Sequence, residues 1–153
     1  MWIIHERRQG NLRENERPNK HNYYLNIAKA VSERSTCLVR HYGAIIVAND
    51  EVIATGYNGA PRGVANCCDA GICQRYADPD FKGVHGSGYE KCVSVHAEMN
   101  AMLSASRKDL IGSTLYLYGY DTIIRKEFQP EPCPICTRLI KNSGIEKVVT
   151  WEV

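Results

Sequence analysis

The sequence predicts an α/β fold in which helices flank a small mixed sheet, and three observations carry that expectation. Segments of helical period and short apolar strands follow one another in the order helix, hairpin, helix, strand, helix, strand. A chain of 153 residues is long enough for one domain with its own hydrophobic core. Hydrophobic residues at 44% and charged residues at 24% are a globular composition, neither disordered nor fibrous.

Each element has a local reason. Residues 1–19 are polar, rich in Arg, Glu and Asn, and lack a sustained period, so they read as a loosely ordered arm before a domain spanning 20–153. Pro18-Asn19 opens the first helix, with Asn19 as its N-cap. Tyr24, Ile27, Ala28 and Val31 then recur at helical spacing through residue 34. Residues 43–48 and 52–57 are apolar strands, and Asn49-Asp50 between them is turn chemistry that makes the pair a β-hairpin. Residues 58–92 are rich in Gly, Pro, Asn, Asp and Cys, and an aperiodic stretch of that length needs something to tie it down. Residues 93–107 have a helical pattern, with Met99, Met102, Leu103 and Ser106 near one face. Residues 114–118 form a strand, and 134–142 a third helix closed by Ser143-Gly144, where glycine supplies the left-handed C-terminal residue. Residues 147–151 are the last strand.

Bulk properties remove several function classes. A formal net charge of +2, with no dense Lys/Arg run, gives no electrostatic footprint for nucleic acid. No apolar stretch is long enough to span a bilayer. Met1-Trp2-Ile3-Ile4 runs at once into His5, Glu6, Arg7 and Arg8, which leaves no apolar core for a signal peptide. The expected location is therefore the cytoplasm, where thiols stay reduced. There an odd set of seven cysteines (Cys37, Cys67, Cys68, Cys73, Cys92, Cys133 and Cys136) argues for metal binding or catalysis rather than a disulfide framework. Cys68 reads more simply as a small buried hydrophobe.

Two segments carry the chemistry: His96-Ala97-Glu98 and Pro132-Cys133-Pro134-Ile135-Cys136, each at the start of a predicted helix. Cys133 and Cys136 are spaced to leave the first turn on the same side. A helix N-terminus favours negative charge and so prepares both thiolates for a metal. One imidazole and two thiolates make three protein ligands; a catalytic zinc keeps its fourth position for water, whereas a structural site closes it. Zinc lowers the pKa of its water towards about 7. Glu98 is placed to face that water from the side and shuttle protons. The expected reaction is attack at C4 of cytosine, with Glu98 protonating N3 and then carrying the water's proton to the departing ammonia. His-x-Glu followed by Pro-Cys-x-x-Cys is a known zinc-deaminase signature. The bland alternative is a closed structural zinc with a further Cys ligand and Glu98 as a surface carboxylate.

Further stretches sharpen the pattern: Ser35-Thr36-Cys37 leading into Gly43-Ala44-Ile45-Ile46-Val47, Gly56-Tyr57-Asn58-Gly59-Ala60-Pro61, and His96-Ala97-Glu98-Met99-Asn100-Ala101. With residues 132–136 they cover most of 20–151, and on them the chain resembles the cytidine-deaminase superfamily and, within it, the deoxycytidylate (dCMP) deaminases. The resemblance implies a cytidine-deaminase-like three-layer fold and the zinc-dependent hydrolysis of dCMP to dUMP and ammonia, in the supply of dTTP precursors. It implies Zn2+ as cofactor, a homo-oligomer (hexamers are typical), and control by dCTP or dTTP, with Mg2+ only if such an effector binds. By position, Asn58 would hydrogen-bond the substrate's sugar or base, and the backbones of Ala97 and Cys133 would read the cytosine amide edge. Arg107, at the end of the His96 helix, would lie near the nucleotide phosphate or an allosteric switch. A plain Asn-Gly turn and a solvated helix-end cation are the simpler readings of Asn58 and Arg107.

Some members of this group carry a second, structural zinc in the insert that corresponds to residues 58–92. Cys37 and Cys67 match its ligand positions, and of Cys68, Cys73, His85 and Cys92 the pair Cys73 and Cys92 is favoured to complete it, His85 reading as a loop histidine. Such a closed site would fix the long segment. Two features depart from the group. Residues 119–131, with Asp121, Arg125, Lys126 and Gln129, intervene before the cysteine ligands, beside the expected pocket mouth, where they would alter the substrate or add a phosphate contact. The chain also ends at Val153, just after the last predicted strand, which leaves a sheet edge for a partner to cover. Among rivals, a tRNA adenosine deaminase needs a basic surface that the charge balance does not supply. Riboflavin-precursor deaminases lack Gly-Tyr-Asn-Gly with a Cys-rich insert, and a non-catalytic zinc module has no use for Glu98.

Overall fold

Both faces of the central strands are buried, which is why they read as unbroken hydrophobic runs rather than alternating ones. The computed structural model describes residues 1–11, 13, 16–81 and 88–152. In chain order its strands are β1 (Trp2–Arg7), β2 (Arg40–Ala48), β3 (Glu51–Tyr57), β4 (Thr114–Asp121), β5 (Lys126–Phe128) and β6 (Lys147–Glu152). Its helices are α1 (Lys20–Ser32), α2 (Cys67–Ala70), α3 (Ala97–Leu103), α4 (Arg107–Leu110) and α5 (Pro134–Ser143). Along β2, Ala44 and Ile46 face one side of the sheet and Ile45 and Val47 the other; β4 separates Leu115 and Leu117 from Tyr116 and Tyr118 in the same way. Tyr24, Leu25 and Ala28 of α1 cover one face, and Ala97, Ala101, Leu110, Cys136 and Ile140 of α3, α4 and α5 cover the other. Helices lie on both sides of one sheet, the three-layer arrangement expected from the sequence.

The sheet order is β1-β6-β4-β2-β3. β2 pairs antiparallel with β3 and β4, whereas β4–β6 and β6–β1 are parallel, so the sheet is mixed. Asn19 caps α1, its side chain accepting from Asn22 N at 2.8 Å. The β2–β3 hairpin turns on Asn49 and Asp50 at φ 49° and 68°, the two positive values that a tight primed turn requires. Gly144 closes α5 at φ 90°. No described helix is long and apolar enough to cross a membrane.

Several expectations need correction. Residues 2–7 are not part of a loose arm: they form β1, in register with β6 from Trp2↔Lys147 to Arg7↔Glu152. Trp2 N donates to Glu146 O at 2.8 Å, His5 Nδ1 lies 2.9 Å from Thr150 Oγ1, and the Arg8 guanidinium stacks 4.2 Å from the Trp151 ring. The run Trp2-Ile3-Ile4 is too short to announce a period, and its partner is nearly the whole chain away. It also covers the edge of β6 that was expected to be open. The helix expected over 93–107 is instead α3 and α4. Val95 is held straight by paired backbone hydrogen bonds with Gly59, and Ser106 accepts from Asp109 N to start α4 separately. Of residues 119–131, the first three finish β4 and Lys126–Phe128 fold back on them as the short strand β5. Cys68, expected to be buried, is exposed. His85 lies outside the described residues.

Two contacts hold the layers in register. Glu127 of β5 accepts from Lys29 Nζ of α1 and from the Tyr118 hydroxyl of β4, each at 2.9 Å, and pairs with Arg8. Burial opposes its ionisation, but the Lys29 and Tyr118 hydrogen bonds and the Arg8 charge hold its carboxyl below the usual range. At Gly56, β3 meets the backbone of α3 directly: a Cβ there would stand 2.3 Å from Ala101 N and 2.4 Å from Ala97 O. Replacing Gly56 by Ala is therefore expected to cost about 3 kcal/mol, the upper end of overpacking penalties, because backbone cannot rotate aside as a side chain does. Denaturant unfolding checks this, and an unchanged midpoint would refute the close approach.

Candidate metal centre

Two helix N-termini deliver the expected ligands to one point. His96 is the N-cap of α3, Cys133 is the N-cap of α5, and Cys136 is in the first turn of α5. The Cys133 sulfur accepts from Cys136 N at 3.4 Å, which locks the two cysteines together on the near side of that turn. Cys133 Sγ and Cys136 Sγ lie 3.5 and 3.4 Å from His96 Nδ1. Zinc bonds of about 2.05 Å to nitrogen and about 2.3 Å to sulfur give a tetrahedron edge of about 3.5 Å, so these separations already match a zinc site. Among the described residues, these are the only His, Cys, Asp or Glu side chains whose ligand atoms cluster in a group of three or more within 4.8 Å. Zinc fits the donor set, and three ligands leave the fourth position free.

The protonation preferences agree with that assignment. Burial pushes the His96 pKa down, favouring the neutral imidazole a metal needs. Burial pushes the Cys136 thiol up, and Glu98 and Cys133 add to the shift, so a bound cation is what would stabilise its thiolate. Glu98, in the first turn of α3 and 4% exposed, is also raised by burial, partly offset by its own backbone N–H and by a hydrogen bond with Cys136.

His96, Glu98 and Cys133 line a cavity of about 140 Å3 whose wall also includes Asn58 and Ala97. A cavity of about 150 Å3 is known to admit one six-membered aromatic ring, so this one suits a single pyrimidine with its substituent at the mouth. Asn58 is buried and mostly occupied: its Oδ1 accepts from Ser35 Oγ at 2.6 Å and Tyr42 N at 2.8 Å, and its Nδ2 donates to Arg40 O at 2.8 Å. One Nδ2 proton remains for a ligand. Ala97, fully buried, opens α3 behind the cavity. Arg107 is exposed at the start of α4 and is not part of the cavity wall, because α3 ends before reaching it.

Cys37, Cys73 and Cys92 also line the cavity, and Cys67 lies near enough for their charges, after burial, to raise its thiol. Val39 N and Arg40 N donate to the Cys37 sulfur at 3.4 and 3.5 Å, and Cys68 N donates to Thr36 O at 3.1 Å, drawing the start of α2 to Cys37. The four are neighbours but do not converge as His96, Cys133 and Cys136 do. Sequence reasoning missed Arg40, Tyr42, Arg75 and Tyr89, all in the wall. Arg40 and Tyr42 alternate along β2 just before Gly43, a period-two signal that was available; Arg75 and Tyr89 lie in the aperiodic insert, which has no pattern to read.

Comparison with known proteins gives a consistent answer. The family described as the cytidine and deoxycytidylate deaminase zinc-binding region matches residues 18–152. The chain is 44% identical over 135 residues to a deoxycytidylate deaminase of Mycobacterium phage D29, covering 87% of this chain and 94% of the relative. It is 39% identical over 133 residues to the Saccharomyces cerevisiae deoxycytidylate deaminase, where it covers only 38% of the longer relative. The dCMP deaminase of cyanophage S-TIM5 superposes with a TM-score of 0.60 at 28% identity, covering 87% of this chain and 82% of that one. The same cyanophage enzyme has also been solved with dCMP and dUMP (TM-score 0.57, 25% identity).

Replacing Cys136 by Ser should remove about one equivalent of zinc per chain and, because that side chain is fully buried in the core beside Ile140, lower the melting temperature as well. Metal analysis with thermal unfolding reads both; a variant that keeps its parent's zinc content would exclude Cys136 as a ligand.

Proposed function

Since the chain belongs to the cytidine and deoxycytidylate deaminase zinc-binding family, we propose that it hydrolyses dCMP to dUMP and ammonia. The observation that carries this is Glu98: a carboxylate 4% exposed, on the floor of a ring-sized cavity, beside three ligands that leave a metal position open. A structural zinc has no use for such a group. The deoxycytidylate deaminase names of the relatives and the nucleotides bound to the cyanophage enzyme support dCMP as substrate.

His96, Cys133 and Cys136 would hold the zinc, which would supply the Lewis acid that makes hydroxide available at neutral pH. The protein's own residues do the rest. The cavity excludes bulk water from the ring, and Asn58 offers its remaining Nδ2 proton to the sugar or base. Glu98 takes the attacking water's proton and places it on N3 as oxygen adds to C4. It then carries the second proton to the amino nitrogen, which leaves as ammonia. Water is consumed and no redox partner is needed.

The same reading extends to the insert, where Cys37, Cys67, Cys73 and Cys92 hold a second, structural zinc. Its support is the pair of backbone N–H groups aimed at the Cys37 sulfur, which offset part of the burial that raises its thiol and leave the rest for a bound cation to reverse. Exposed Leu103 and Ile135 on the helices beside the site suit a homo-oligomeric contact, and we place the protein in the cytoplasm with dCTP or dTTP, and Mg2+ with them, as candidate effectors.

Two experiments test the reading. With dCMP, dCTP, CMP and cytidine offered separately, ammonia release should be fastest from dCMP, and Glu98→Gln should lower kcat by about a thousandfold, within the usual range for a lost general acid–base, while retaining zinc. No ammonia from any of the four would refute the substrate class. For the insert, the purified chain should hold two zinc ions and Cys37→Ser one, with a lower melting temperature; one zinc in the parent would remove the structural site.

A further inference from the structure

The β4–β5 hairpin puts no side chain of residues 119–130 into the cavity, yet it touches two residues that do line it. Tyr42 on β2 is the register partner of Gly119 on β4, and Gly119 is the partner of Phe128 on β5. Because Gly119 has no side chain, the Tyr42 and Phe128 rings meet across it edge to face, centroids 5.4 Å apart at 84°. A Cβ on Gly119 would stand 2.6 Å from Phe128 Cζ. Two residues along, Arg40 is the partner of Asp121. The Arg40 guanidinium lies 5.2 Å from the Phe128 ring centre, its Nε is 3.4 Å from Asp121 Oδ2, and the Tyr42 hydroxyl is near enough to interact with it electrostatically. Asp121 is itself fixed, its Oδ1 accepting from Ile123 N at 2.9 Å and Ile124 N at 3.2 Å. The Arg40 backbone is held by Asn58 on one side and the Cys37 sulfur on the other.

Arg40 is thus a cation fixed by packing, an ion pair and two backbone contacts, in the wall of the same cavity as Glu98 and His96. Its guanidinium has five N–H donors, more than one carboxylate oxygen and one phenol oxygen can take. A planar, pre-oriented guanidinium is the side chain best matched to a phosphate. With the pyrimidine on the cavity floor, the phosphate of a nucleotide belongs at the mouth.

We infer that Arg40 recognises the 5′-phosphate of the nucleotide and that Phe128 and Asp121 of the β4–β5 hairpin are its positioning residues. The inference rests on the deaminase reading above and names what makes that site prefer a nucleotide to a nucleoside. The hairpin acts from behind the wall, through Phe128 and Asp121, rather than by a cation of its own.

The test uses the zinc-loaded protein and its Arg40→Ala, Phe128→Ala and Phe128→Leu variants, the last keeping bulk while losing the aromatic face. Kd is measured by calorimetry for dUMP and deoxyuridine, alongside KM and kcat for dCMP. Arg40→Ala should weaken dUMP about a hundredfold, and either Phe128 variant about tenfold, or about 1.4 kcal/mol. KM for dCMP should rise in parallel, and deoxyuridine affinity should not follow dUMP. Zinc content confirms that each variant is folded. Unchanged dUMP binding in Arg40→Ala, or equal losses for dUMP and deoxyuridine, would overturn the inference. A parent that deaminates no cytosine nucleotide would instead overturn the function on which it rests.

Discussion

The side-by-side placement of two helix N-termini is the constraint on which the rest of the molecule depends. α3 presents His96 from its N-cap, and α5 presents Cys133 and Cys136 from its cap and first turn, so that the three donor atoms fall within 4.8 Å of one another. Neither helix makes the site alone. α3 is fixed by resting its backbone on β3 at Gly56, and α5 by burying Cys136 and Ile140 in the core it shares with Ala44, Leu115 and Leu117. The parallel β4–β6 pair and the antiparallel β2–β3–β4 set then hold those two supports in one sheet. The dipoles of both helices favour negative charge where the thiolates gather.

Burial that makes the site useful also makes it unstable without a metal. A carboxyl and a thiol side by side, both removed from water, are each pushed towards the neutral form; the Glu98 charge raises Cys136 further, while a hydrogen bond with Cys136 partly relieves Glu98. A divalent cation reverses that balance, converting a local cost into binding energy. Burial, rather than a salt bridge, sets the environment of Glu98, which suits the proton transfer proposed for it. The metal ligands, the proton carrier and the ring-sized cavity are consequently one design rather than three.

Much of this was legible in the sequence, and what was not has physical reasons. His96, Glu98, Cys133 and Cys136 announced themselves because their spacing is local and their helices carry their own caps. The hairpin at Asn49-Asp50, the cap at Asn19 and the stop at Gly144 were legible for the same reason: each signal lies within a few residues. β1 was not, since Trp2-Ile3-Ile4 becomes a strand only by pairing with β6 at the other end of the chain. Arg107 was misplaced because Ser104 and Ser106 end one helix and start another where periodicity alone sees a single one. Asn58, expected to hydrogen-bond the substrate's sugar or base, lies in the cavity wall, where most of its hydrogen bonds hold the start of β2. Arg40 escaped notice because its partners, Asp121 and Phe128, come from a hairpin far along the chain.

The central claim is an open, three-ligand zinc facing Glu98. Crystals of the purified protein measured on both sides of the zinc absorption edge test it most directly. The account predicts an anomalous peak bonded to His96 Nδ1, Cys133 Sγ and Cys136 Sγ, with solvent or ligand in the fourth position beside Glu98. A peak closed by a fourth protein side chain, or no zinc at these three atoms, would contradict it.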